Sequence, residues 1–227
     1  MSRGALIVAL FVVTVAAVPA ARAAEVTTYG AGLQSCKAYL DSGETDKTTD
    51  RVAFVDWLSG YVSGVNNTSP HRNNFLGLAD LSEALRRIEG FCEARPRAQF
   101  AEAAGMLVFG AKTGPAAHAI EVTTYGSADK SCGLYLQARE QQDPINGAEF
   151  RDWLGGYLSG VNAMSLRTSN ILGKTPLLDA VRWLDGWCSA HPVTAFGAAV
   201  EELVTASQLK QIEVAAASSS FSSNSAR

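Results

Sequence analysis

Four cysteines are the residues best equipped for chemistry, and they stand as two pairs, Cys36 with Cys92 and Cys132 with Cys188, each 56 residues apart. Thiols so placed either oxidise to disulfides or hold a metal ion. Zinc sites draw on closely spaced cysteines or on histidines, and the three histidines, His71, His118 and His191, have no counterparts in a repeat that pairs the cysteines. Disulfides are therefore the expected chemistry. A nucleophile elbow, a metal-ligand helix and a phosphate loop are all lacking. The chain is accordingly read as non-enzymatic, with no catalytic residue, metal or cofactor assigned. Carboxylates gathered in space are the one catalytic route left open.

The pairing follows from a duplication. EVTTYG at Glu25–Gly30 recurs unchanged at Glu121–Gly126, and from 25 to 108, 36 of 84 positions match the residue 96 further on without a gap. A unit that was once single had only its own two cysteines, which selects Cys36–Cys92 and Cys132–Cys188 from the pairings that four cysteines allow. A unit of about 85 residues buries only about 60 to 65 per cent of its unfolded surface. Closing a loop of about 57 residues contributes roughly 4 kcal/mol on the chain-entropy estimate, comparable with the net stability of a small domain.

The second pointed pattern is D-W-L-x-G-Y-x-S-G-V-N, at Asp56–Asn66 and again at Asp152–Asn162. Tryptophan and tyrosine are favoured interface anchors, so Asp56, Trp57, Tyr61, Asp152, Trp153 and Tyr157 are candidate partner-binding residues. A wide apolar face with solvated aspartates is the competing reading. Gly60 and Gly64, like Gly156 and Gly160, each cost about 1 kcal/mol in a helix relative to alanine. Their expected role is helix packing, with a neighbouring backbone where no side chain fits; a groove for a partner or ligand is the alternative. Asn66 and Asn162 are expected to end their helices in left-handed backbone, and Asn74 and Asn170 to lie in turns. Arg86 and Arg182 recur at one point of the third helix and read as solvated or locally paired. Trp183 and Trp187 replace Arg87 and Phe91 of the first copy, which makes the second copy the expected binder if the two have diverged.

The elements that must position these residues are helices, about four per copy, so the fold class is all-α: two tandem, disulfide-held helical repeats. The first carries Cys36, Tyr39 and Leu40. The second spaces Phe54, Leu58, Tyr61 and Val65 as a buried stripe, and the third places Leu81, Leu85, Ile88 and Cys92 on one face. The fourth follows Pro96 or Pro192, which suits a helix start. EVTTYG favours extended backbone and is expected to lie along the helices.

Residues 1–24 read as an export signal, with Arg3 ahead of an apolar core and Ala21-Arg22-Ala23 as a cleavage site. Helical repeat 1 is assigned to 25–117, repeat 2 to 118–214 with a linker at 112–119, and a serine-rich disordered tail to 215–227. Removing Arg3 and Arg22 leaves 17 basic against 22 acidic residues, so nucleic acid is not an expected partner. No segment has the apolar length of a spanning helix, so no transmembrane anchor is expected. A contact between the two repeats is a further expectation.

A cysteine in the first helix, W-L-x-G-Y-x-S-G-V-N, then a second cysteine with proline four residues on, as in Cys188–Pro192, together resemble the Rap/Tai immunity proteins of type VI secretion. The likeness covers each copy almost end to end. It implies a periplasmic protein that binds and blocks a cell-wall-degrading effector. Two departures stand out: those proteins are usually single-copy, and they often carry a cysteine-proline pair before the third helix, absent here. A weaker resemblance is to HdeA-type periplasmic acid chaperones, also small, helical and held by one disulfide. An envelope scaffold holding a partner on each copy is the third alternative.

Overall fold

A computed structural model of the chain describes residues 25–44, 48–69, 74–77, 80–110, 122–141 and 146–224. The expected export signal and the linker lie outside the described residues. Among the described residues there are eight α-helices and no strand: α1 Cys36–Glu44, α2 Thr48–Thr68, α3 Leu81–Ala94, α4 Phe100–Phe109, α5 Cys132–Glu140, α6 Asn146–Met164, α7 Leu177–Ala190 and α8 Phe196–Asn224. A short 3-10 turn, Gly30–Leu33 or Gly126–Asp129, precedes the first helix of each repeat.

Local sequence sets the helix starts. Ser131 Oγ accepts the Leu134 amide, and Asp80 Oδ1 accepts the Glu83 amide at 2.8 Å, each satisfying a donor the first turn leaves open. The prolines act differently from the expectation. Helices α4 and α8 begin four residues after Pro96 and Pro192, whose carbonyls instead accept the Lys37 and Gly133 amides at 2.9 and 2.8 Å. Each proline thus pins the start of α1 or α5 to the loop beside it.

Both disulfides form as expected, Cys36–Cys92 joining α1 to α3 and Cys132–Cys188 joining α5 to α7, with Cα–Cα distances of 4.8 and 4.9 Å. Beside each lies the same aromatic trio. Tyr39, Phe54 and Phe100 have centroids 4.8 to 5.4 Å apart, and Tyr135, Phe150 and Phe196 repeat the arrangement at 4.8 to 5.5 Å. Such edge and tilted contacts each contribute about 0.5–1.5 kcal/mol beyond area burial.

Helix α8 continues to Asn224, into the serine-rich segment expected as a tail, whose last residues, 225–227, lie outside the described residues. A helix already nucleated adds residues cheaply, and the run Val214–Ala217 offers three alanines, the best helix formers. Among the described residues no helix is long and apolar enough to cross a membrane.

Candidate functional site

The repeated D-W-L-x-G-Y-x-S-G-V-N segment lies in the middle of α2 and α6, and these two helices pack against one another. A Cβ added at Gly60 would stand 2.0 Å from the Trp153 carbonyl oxygen, and one at Gly64 would stand 2.2 Å from that of Tyr157. The relation is reciprocal: Gly156 would meet the Trp57 carbonyl oxygen at 1.9 Å and Gly160 that of Tyr61 at 2.2 Å. Numbers rise together along both helices, so they run parallel about a pseudo-twofold axis. All four glycines mark backbone-to-backbone contact, which no other residue permits.

The rest of the motif serves the same junction. Tyr29, in the extended arm ahead of repeat 1, donates its amide to Ser159 Oγ of repeat 2 at 2.9 Å and its hydroxyl to Asn170 Oδ1 at 2.8 Å. Asn162 Nδ2 donates to the Thr27 carbonyl at 2.8 Å, and its Oδ1 accepts the Ile171 amide at 2.7 Å. The second arm mirrors this on repeat 1. Tyr125 donates to Ser63 Oγ and Asn74 Oδ1, while Asn66 bridges the Thr123 carbonyl and the Phe75 amide. The arms are exchanged: Tyr29 packs on the core of repeat 2 and Tyr125 on that of repeat 1.

This geometry corrects two expectations and details a third. Asn66 and Asn162 do not end their helices, which continue to Thr68 and Met164; they are buried bridges between arm and loop. Trp57 and Trp153 are wholly buried, and Tyr61 and Tyr157 nearly so, so these four cannot anchor an external partner on this surface. Each tryptophan stacks on its tyrosine at 5.1 Å and donates Nε1 to the arm, Trp57 to the Tyr29 carbonyl at 2.6 Å and Trp153 to that of Tyr125 at 2.7 Å. The described arm residues of EVTTYG do lie along helices, in the seam between α2 and α6: each arm bonds to a serine of the opposite repeat and accepts from the tryptophan of its own.

Arg86 and Arg182 are locally paired, with Glu83 and with Asp179 respectively. Asn74 lies in a turn, its side chain bonded to both backbone groups of Gly77, whose φ of 64° suits glycine alone.

Asp56 and Asp152 are half-buried at the end of the junction where α2 and α6 begin. Asp56 Oδ2 is buried without a hydrogen-bond partner. Burial, reinforced by the nearby Glu149 and Asp152 carboxylates and only partly offset by Lys130, pushes the Asp56 carboxyl up to about 7. Burial also raises Asp152, against the pull of Arg151. Repeat 1 lacks this charge cluster, because Ala53, Gln34 and Ala31 stand where repeat 2 has Glu149, Lys130 and Ser127. Glu149 accepts bonds from Lys130 and from Ser127 Oγ. Among the described residues no group of three or more His, Cys, Asp or Glu is placed to hold a metal ion.

With the motif spent internally, the exposed aromatic residues that distinguish the copies lie on α7. Trp183 is 37% exposed, and Trp187 stacks on His191 with centroids 4.1 Å apart. The first copy has Arg87, Phe91 and Arg95 at these points. The aromatic substitutions were legible in the sequence; that Trp183 faces outward while Trp187 is half-buried against the repeat 2 core was not, because their spacing overlaps the buried Ala180, Leu184 and Cys188 stripe. No protein-family model, curated protein or solved structure matches this chain.

Proposed function

We propose that this is an exported binding protein of the immunity type, which holds a protein effector on the Trp183–Trp187 face of its second repeat and inhibits it by occupancy. The observation that carries the reading is the one-sided aromatic surface on α7, set on a disulfide-held body that presents it without rearrangement. Desolvated tryptophan is a frequent hot spot of protein interfaces. The likeness to Rap/Tai proteins supports the immunity class and a periplasmic location, but it resides in the disulfide frame and in residues that join the repeats. It therefore speaks for the shared scaffold, and the contact surface is the one on α7. The asymmetry of the copies favours one binding face over a scaffold with a partner on each.

The acid-chaperone alternative draws no help from the junction. Asp56 is an acid whose folded value lies above its unfolded one, so the folded state binds more protons between about pH 4 and 7. Acid thus tightens that end of the α2–α6 junction rather than loosening it.

The test is capture from the native envelope at neutral pH, with the mature protein as bait beside Trp183→Ala and Arg87→Ala, the same position in repeat 1. The expected result is one stoichiometric partner, lost with Trp183→Ala and kept with Arg87→Ala. Recovery of no specific partner, or equal recovery by both variants, overturns the proposal.

A further inference from the structure

The two repeats part company at one cavity. Among α5, α6 and α7 lies an open pocket of about 310 Å³, walled by Phe150, Leu154, Leu177, Leu178 and Val181, with Arg139 and Arg151 on its lining. The first repeat has the same aromatic and aliphatic frame, but Arg51 covers it. The Arg51 guanidinium lies 3.8 Å from the centre of the Tyr39 ring, donates to the Tyr39 carbonyl at 3.0 Å and stands 3.9 Å from Glu89.

At the position of Arg51 the second copy has Gly147, which removes that cover altogether. Two further replacements act in the same direction: Ser82 becomes Leu178, which adds apolar wall, and Val55 becomes Arg151, which adds a cation. Arg139, present where repeat 1 has Gly43, is committed to Asp185 through Nε at 3.1 Å and Nη2 at 2.7 Å, and the Tyr135 hydroxyl donates to the same carboxylate at 2.6 Å. Arg151 is not so committed. Its side chain is 63% exposed and its nearest carboxylate, Asp152, is 3.9 Å away. No carboxylate is among the described residues lining the pocket.

We infer that the second repeat binds a small monocarboxylate with an apolar body, its hydrocarbon against Phe150, Leu177, Leu178 and Val181 and its carboxylate at Arg151. At roughly 30 Å³ per water-sized group, the pocket holds on the order of ten heavy atoms, the size of octanoate. Apolar walls with a few placed polar groups are the usual make-up of a small-molecule site. The pocket and Trp183 lie on opposite shoulders of the buried face of α7, as the 3.6-residue turn places 178 and 181 away from 183 and 187. The inference therefore stands independently of the effector reading.

The test titrates the mature protein with octanoate and, separately, with 1-octanol, following methyl NMR signals and binding heat. Saturable shifts are expected at Leu154, Leu177 and Val181, and none at their repeat 1 counterparts Leu58, Leu81 and Leu85. Gly147→Arg, which restores the cover seen in repeat 1, weakens binding of both probes by roughly tenfold or more. Arg151→Gln weakens octanoate by roughly tenfold, the worth of one charged hydrogen bond, and leaves octanol unchanged. Leu178→Ser, at an exposed position that does not endanger folding, weakens both severalfold and keeps the test valid should Gly147→Arg fail to fold. No saturable shift at millimolar octanoate, equal shifts in both repeats, or unchanged affinity in Arg151→Gln and Leu178→Ser overturns the inference.

Discussion

At the scale of single residues, two buried polar groups at the junction have opposite effects on stability. Asn66 is fully buried and satisfies the Thr123 carbonyl and the Phe75 amide at 2.8 Å each. Asn66→Ala leaves both unpaired, and a loss of roughly 2–4 kcal/mol is expected from denaturant unfolding. Asp56 does the reverse. Its raised carboxyl makes the folded state less stable as pH rises from about 4 towards 7, with no further change above. Glu149, Asp152, Lys130 and Arg151 are the charged groups that surround these aspartates, and only the first two oppose ionisation of Asp56. Asp56→Asn is expected to add about 1–2 kcal/mol at pH 8, after allowance for solvent screening, and close to nothing at pH 4. Unfolding curves of the two proteins that stay parallel across this range would refute the assignment.

At the scale of elements, the exchanged arms are the feature that composition conceals. EVTTYG suggests extended backbone, but nothing in its own repeat shows that partners of the first arm lie 130 or more residues away, as Ser159 and Asn170 do for Tyr29, beside Trp57 of its own repeat. The disulfides and helices were legible because they are local to a copy and appear twice. Asn66 was misread because asparagine commonly ends helices, and its partner is an arm contributed by the other repeat. Amide exchange examines the arms directly: the Tyr29 and Tyr125 amides should be protected nearly as well as core helical amides, since each donates to a serine of the opposite repeat at 2.9 Å. Exchange as fast as in a fraying terminus would contradict the arm exchange. Reduction of one disulfide tests a different support. A Cys36→Ala, Cys92→Ala protein is expected to lose roughly 4 kcal/mol, and Cys132→Ala, Cys188→Ala the same, because both close loops of equal length.

At the scale of the whole molecule, the duplication has produced one body in which each repeat supplies the other with an arm and a helix face. The motif read as a partner surface touches the sister repeat, and the divergent features used for binding lie on α7 and in the pocket beside it, while the junction itself diverges at its charged end, where Glu149 and Lys130 replace Ala53 and Gln34. The central claim is that the paired glycines exist for that backbone contact, and propensity makes its sign testable. A glycine-to-alanine change in an unconstrained helix stabilises by about 0.5–1 kcal/mol. Gly90 and Gly186 are such positions, with nothing within 4 Å of an added Cβ. Gly60 and Gly156 are not, because the added carbon would overlap a carbonyl oxygen and force α2 from α6. The direct measurement is urea unfolding of Gly60→Ala beside Gly90→Ala. The account predicts a loss of about 1–3 kcal/mol for the first and a small gain for the second; a neutral or stabilising Gly60→Ala would contradict it.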